Sequence, residues 1–459
     1  MQEENFTLLE EVRRDLEEKK LLALRRRIEH EKAADIAELF EELDTEEQIL
    51  IYRLLPKELA AEVLVEMTAD EQKTLIDSFS DFELRQVLAE LYSDDTADLV
   101  EEMPANFVRR ILNNCPPDMR RSVNELLKYP DGSAGSIMTT EYVRLKADMT
   151  VAEAFDHIRS VAIDKETIYT CYVTDAYRVL IGIVSAKTLL TSPLNARVGD
   201  IMEEDIVTVH THDDREQVAR LFDKYKFLAL PVVDNDGRLV GIITIDDAMD
   251  VISEETEEDF AKMAAITPGS EKSYLHKSPF EIFRSRIPWL LILMVSATFT
   301  GMIITSFERA LAASVILTSF IPMLMDTGGN SGSQASVTVI RGLSLGDIRL
   351  ADVLRVMYKE LRVSFLCGIT LSAVNFVKIM LVDGLLLHNR AITPMVALVV
   401  SLSLLVTILA AKLIGCSLPI LAKRLGFDPA VMASPIITTL VDAISLVVYF
   451  SIATSLLSL

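Results

Sequence analysis

Five apolar stretches crowd residues 287–459 of this 459-residue chain, and they limit its folding to shapes that put them in lipid or in a protein core. Residues 287–307 hold no charge, 310–340 only Asp326, 363–382 only Lys378, 391–411 none, and 429–459 only Asp442. About 20 residues of helix cross the ~30 Å of bilayer hydrocarbon, so each stretch is read as a membrane span. The part before them, 1–280, behaves oppositely. It holds 32 of the 45 Lys and Arg and 59 of the 68 Asp and Glu. An acidic body joined to a weakly basic apolar domain marks the division between water and lipid as solvent. Such a body repels phosphate backbones and attracts cations, which excludes general nucleic-acid binding. The N-terminal string MQEENFTLLEEVRRDLEEKK has no apolar signal-peptide core, so the acidic part is expected in the cytosol. Cys115, Cys171, Cys367 and Cys416 are scattered without CxxC spacing, which argues against disulfides and zinc. No GxSxG, HExxH or Walker string occurs, and no enzymatic activity is expected.

Two internal repeats organise the acidic part. From about 31 to 127 the pattern recurs every 24 residues, so that Leu39, Val63 and Val87 correspond, as do Leu43, Met67 and Leu91, with DTEEQ, TADEQ and SDDTA following. Each unit suits two short antiparallel helices, giving an all-α superhelical N domain over 1–130. Over 131–251, SIMTTEYVRLKADMTVAEAF is answered by DIMEEDIVTVHTHDDREQVA, and CYVTDAYRVLIGIVSAKTLL by LPVVDNDGRLVGIITIDDAM. Each copy, about 137–192 and 201–251, reads as strand, helix, hairpin and helix. This resembles a tandem pair of CBS domains, an α+β regulatory module that often binds adenine nucleotides. The Ser/Thr-to-Asp spacing that such modules use for ribose is kept by Thr244 and Asp247, whereas the first copy has Ser185 and Thr188. Residues 252–280 form a connecting segment, and DVISEETEEDFAKMAAI, 250–266, is expected to be one helix that places Glu255, Glu258 and Asp259 on a shared face.

In the membrane domain, 281–459, the N-terminus-inside orientation leaves Arg284, Arg286, Arg341, Arg349, Arg355, Lys359, Arg362, Lys423 and Arg424 in cytosolic flanks and Arg309, Lys378 and Arg390 outside. The chain is therefore expected to end outside. Counted from Pro429, Asp442 lies ~20 Å along the last span, near mid-membrane, where an unpaired carboxylate costs at least ~3 kcal/mol. The stretch MDTGGNSGSQASVTVIRG in the second span is too polar for lipid contact, and Pro435 is expected to free a backbone carbonyl before Asp442. Acids, carbonyls and hydroxyls without His or Cys favour Mg²⁺, Ca²⁺ or Mn²⁺ as the ion.

The order of parts, with PMLMDTGGNSGSQ and FDPAVMASPIITTLVD, looks like the MgtE-type magnesium channel family over essentially the whole length. The resemblance implies a multi-pass plasma-membrane homodimer in lipid, with Mg²⁺ as substrate and regulator, ATP as a possible further regulator, and a pore between the second and fifth spans. It makes Asp442 the pore carboxylate, with Asn330, Gly328 and Gly329 lining. It also implies closure by cytosolic Mg²⁺ bridging Asp94 and Asp98 of the helical domain, Asp214, Glu216, Asp247 and Asp250 of the second CBS copy, Glu255, Glu258 and Asp259 of the linking "plug" helix, and Asp428. Lys226 stands where some relatives look acidic. An ion-coupled carrier for divalent cations (Mg²⁺, Co²⁺ or Mn²⁺) and a nucleotide-responsive membrane regulator are the rival readings.

Overall fold

The computed structural model describes residues 2–268, 274–275, 277–389, 391–432 and 434–457. Arg390, Ala433 and part of the connecting segment lie outside the described residues. Two compact units result, Met1–Glu254 and Glu255–Leu459.

The first unit opens with ten helices, from α1 (Gln2–Glu17) to α10 (Pro117–Leu126). The 24-residue repeat is their packing rule: Leu39, Val63, Val87, Leu43, Met67 and Leu91 are all buried in one continuous apolar core. The strings after them start helices. Asp44 and Glu47 form a reciprocal capping box on Thr45–Tyr52, and at the start of Ala69–Ser78 the Thr68 N–H and hydroxyl both donate to Glu71. In the third string Tyr92 takes the cap position of α8 (Ser93–Glu101) and makes no side-chain cap.

Each CBS copy follows its expected order. β1 (Tyr142–Lys146), α11 (Val151–Val161), β2 (Thr167–Thr174), β3 (Leu180–Ser185), α12 (Ala186–Thr191) and α13 (Val198–Ile201) precede β4 (Val209–His210), α14 (Arg215–Tyr225), β5 (Ala229–Val233) and β6 (Leu239–Thr244). Both sheets are three-stranded, with the first pair parallel and the second antiparallel. Val143, Leu145, Cys171 and Val173 bury one face of the first sheet with α11, while Tyr142 and Tyr172 on the other face pack on Leu239 and Ile242 of the second copy.

α15 (Ile245–Met263) leaves the second copy, and the division between the units falls within it. It stops short of the expected 266. Ala265 turns left-handed at φ 53° and the Ile266 N–H bonds back to the Ala261 carbonyl, a Schellman-type ending in which Ala stands where Gly is usual.

The second unit contains α16 (Pro279–Ser306), α17 (Glu308–Ala313), α18 (Ile321–Ser344), α19 (Val353–Lys378), α20 (Pro394–Arg424) and α21 (Ser434–Leu457). Among the described residues, four segments are long and apolar enough to cross a membrane: Pro279–Ser306, Leu350–Leu386, Pro394–Arg424 and Pro429–Leu457. The expected span 310–340 is corrected. Its helix begins only at Ile321, with Pro322 in the first turn, after α17 and a 3₁₀ stretch, Val315–Phe320. Its polar residues keep it below the apolarity of the other four. Pro435 is likewise corrected: it lies in the first turn of α21, where no intrahelical partner is lost, and its carbonyl accepts the Thr439 hydroxyl at 2.9 Å. α21 starts at Ser434, so Asp442 stands ~12 Å along the α-helix itself, and it is central in the apolar segment Pro429–Leu457.

Candidate functional site

In the first unit, α8 carries Asp94 and Asp98 one turn apart with Asp95 beside them, and tertiary packing adds Glu141, Glu166, Asp246 and Asp247 from the CBS pair. Asp94 is 7% exposed, and its Oδ1 is buried without a hydrogen-bond partner, as is Glu166 Oε2. Glu141 is held from several sides: Ser93 Oγ donates to Oε2 at 2.7 Å and Thr139 Oγ1 at 2.8 Å. Asp247 Oδ2 accepts the Thr244 hydroxyl at 2.6 Å.

Burial, reinforced by the neighbouring acids, pushes Asp94 well above the ordinary carboxylate range. The same two causes bring Glu166 up to about 8. For Asp95 burial outweighs a bond from the Tyr92 backbone and gives about 6; for Asp247 it outweighs the Thr244 bonds and gives about 7. Asp98 stands at the exposed rim and is raised by the surrounding protein, then by Asp247 and Glu101. Asp250, raised by burial and then by Glu254 and Asp246, sits at the edge of the same field. Among the described residues no three acids stand close enough together to cage a bare metal ion. The orphaned oxygens of Asp94 and Glu166 instead suit a hydrated Mg²⁺, which keeps most of its waters. Asp95, Glu141, Glu166 and Asp246 were not singled out from sequence. The adjacent acids DD at 94–95 and again at 246–247 were the available signal.

Other expected ligands have local partners. Asp214 caps α14, accepting the Glu216 N–H at 2.8 Å, and Glu216 pairs with Arg220. Lys226 pairs with Asp223 at 2.6 Å. In the first CBS copy Ser185 and Thr188 bond to each other at 2.9 Å, the neutral counterpart of Thr244 and Asp247. The acids around Asp247 oppose a polyphosphate at that corner.

In the second unit the end of α15 docks through Met263 on Ile340 and Ala430. Lys262 Nζ lies 2.6 Å from Glu258 and 2.5 Å from Asp428. Burial works against its charge, but the bonds it donates to Asp428 and Glu258 prevail and hold its pKa above the ordinary lysine value. The other Asp428 oxygen accepts the Ala430 N–H, and Asp259 receives the Ser344 hydroxyl at 3.5 Å. Glu255 lies on the same half of α15.

Among the helices of the second unit, α18 packs on α20 and α21 through glycines. A Cβ at Gly328 would stand 2.7 Å from Thr407 and 2.9 Å from Ser445, and one at Gly329 2.9 Å from Thr438. Both glycines are buried in these contacts, so they set helix separation. The exposed edge of α18 is Asp326, Asn330, Gln334 and Thr338, at four-residue intervals, with Asn330 Nδ2 donating to Asp326 at 3.2 Å. Asp442 is half-buried on α21, with Oδ1 lacking a hydrogen-bond partner and Asp326 within electrostatic reach. α20 also contains Lys412, 6% exposed and 3.9 Å from Glu360, a charge pair just beyond the stretch read as uncharged.

Residues 321–452 match the divalent cation transporter domain of MgtE, 31–132 the MgtE intracellular N domain, and 134–195 and 198–254 CBS domains. The chain is 38% identical over 446 residues to the magnesium transporter MgtE of Thermus thermophilus, covering 96% of this chain and 97% of that one. It is 32% identical to that of Bacillus subtilis, over 92% of this chain and 94% of that one. Its fold matches the crystal structure of the cytosolic domain of the Mg²⁺ channel MgtE in complex with ATP, at 38% identity and a TM-score of 0.51, over 52% of this chain and 98% of that one. These features define a multidomain membrane transport protein rather than an enzyme, with an acidic helical domain and a CBS pair ahead of apolar helices. The chain belongs to the MgtE family of magnesium transporters.

Proposed function

We propose that this chain is a magnesium channel of the plasma membrane, working as a homodimer, that admits Mg²⁺ down its electrochemical gradient and is closed by cytosolic Mg²⁺. The observation that carries the reading is the polar edge Asp326, Asn330, Gln334 and Thr338 on a helix otherwise packed among apolar spans, with the unpartnered Asp442 oxygen on α21. Such an edge is costly against lipid and is accommodated by water and a second copy of the same edge. Asp442 then meets the hydrated ion through its waters. The basic flanks support an acidic body inside, and with α18 counted as a fifth crossing the chain ends outside.

Closure rests on the carboxylates of α8 and the CBS pair and on those of α15. In the first unit they repel one another when ionised and are relieved by divalent ions. α15 begins in the second CBS copy, and Lys262 near its end bonds to Asp428. A 99:1 swing needs ~5.5 kcal/mol of differential binding, within reach of several weak sites together. The nucleotide reading gains nothing at Asp247, and ATP as a regulator has its support in the relative's complex.

Single-channel recording in planar bilayers tests this. Openings at micromolar cytosolic Mg²⁺ that vanish at ~10 mM are expected; uptake that saturates and needs a coupling ion would establish a carrier instead. Lys262→Met is expected to raise the half-closing Mg²⁺ several-fold, because Glu258 and Asp428 then face each other uncompensated and each partly exposed pair contributes about 1 kcal/mol or less. An unchanged half-closing concentration would separate this contact from the gate.

A further inference from the structure

We propose that the first CBS copy contains a binding cavity for a small anion bearing two or more phosphate groups. A 620 Å³ cleft beside the edge strand β1 is lined by Tyr142, Arg144, Lys146, His157, Lys165 and Arg178. That volume falls in the usual range for small-molecule sites. Arg144 and Lys146 alternate along β1 with Val143 and Leu145, which are buried under α11, so the strand's period of two turns both cations to the cleft side. His157 comes from α11, Lys165 follows it, and Arg178 comes from the β2–β3 hairpin. Among the described residues none of the Arg144, Lys146, Lys165 and Arg178 side chains has an ion pair or hydrogen bond. Acids outnumber bases by 59 to 32 in the part of the chain before the spans, so four unpaired cations around one cleft are not a consequence of scarce partners. Their mutual repulsion is relieved by a multiply charged anion from outside.

The duplication supplies an independent observation. Asp175 accepts the Tyr177 and Val179 N–H groups to hold the first hairpin turn, as Asp234 accepts those of Asp236 and Arg238 in the second. The left-handed position of this turn is Gly237 at φ 75° in the second copy and Arg178 at φ 69° in the first. A side chain there carries a backbone cost that glycine avoids, and such strain concentrates at ligand sites. Arg144 and Lys146 likewise correspond to Thr208 and His210, so the cationic set is particular to the first copy. Neither Thr244 nor Asp247 lines the cleft. The proposal extends beyond the channel reading and does not depend on it.

Equilibrium dialysis of the full chain in detergent against radiolabelled inorganic triphosphate, with chelator and no Mg²⁺, tests the site. One equivalent per chain is expected, with affinity falling at least ~10-fold in Arg144→Glu/Lys165→Glu and steeply with salt. Arg178→Gly should also bind ~10-fold more weakly while melting no lower than wild type, because the second copy runs the same turn on glycine. Displacement of the label by ATP would assign the phosphates to a nucleotide, and failure of ATP to compete would assign them to a free polyphosphate; both support the site. No saturable binding at millimolar triphosphate, or equal affinity in the charge-reversed and Arg178→Gly chains, would overturn it.

Discussion

Asp442→Asn is expected to reduce Mg²⁺ uptake into proteoliposomes at least ~100-fold, with the protein still assembled in the membrane. The substitution keeps the shape of the side chain and removes one charge. At an effective dielectric of 20, a carboxylate ~5 Å from a divalent ion contributes ~7 kcal/mol before the ion's altered hydration is subtracted. A surviving ~3 kcal/mol already exceeds a hundredfold, since about 1.4 kcal/mol is tenfold in a rate. Asp442→Asn is also mild for the fold, because Oδ1 makes no hydrogen bond that would be lost. Asn330→Ala, on the exposed edge of α18, should cost less, since it removes a dipole and one bond to Asp326. Uptake at wild-type level in Asp442→Asn would eliminate the pore assignment.

The second large effect is on stability against pH. Asp95, Glu166 and Asp247 have folded-state values of about 6, 8 and 7, all above those of an unfolded chain near 4. Between those limits the folded state holds more protons than the unfolded one, so stability decreases as pH rises from ~4 to ~8. In chelator, the first unfolding transition of the full chain should therefore fall by on the order of 5 °C or more between pH 5.5 and 8.5. Mg²⁺ at 10 mM should restore it at pH 8.5 and change little at pH 5.5, where protons already neutralise the acids. Asp94→Asn should flatten the pH dependence. A transition independent of pH in chelator would show that the cluster carries no such charge.

Residues with a strong local period were the legible ones. Leu39, Val63 and Val87 recur because each helical hairpin buries the same positions, and the capping strings recur because each helix start has the same orphan N–H groups. The CBS duplication is carried by strand alternation and by turn chemistry such as Asp234 and Gly237. Glu141 and Glu166, by contrast, lie on neither the helix nor the spacing that presents Asp94 and Asp98, and only folding brings them into one electrostatic field. Lys262 reads locally as the i+4 partner of Glu258; its contact with Asp428 spans 166 positions and has no local signature. The Lys412–Glu360 pair was hidden for the same reason, and the start of α18 because apolarity does not distinguish α-helix from the 3₁₀ stretch before it.

Solvent preference, repeat period and side-chain chemistry are properties of the chain itself, so the acidic body, the paired modules, the apolar helices and a carboxylate inside the last of them follow from the order of residues. Tertiary structure decided which charges meet. Electrostatic energy depends on distance through a medium of low dielectric, and distance between residues far apart in sequence exists only once the chain has packed.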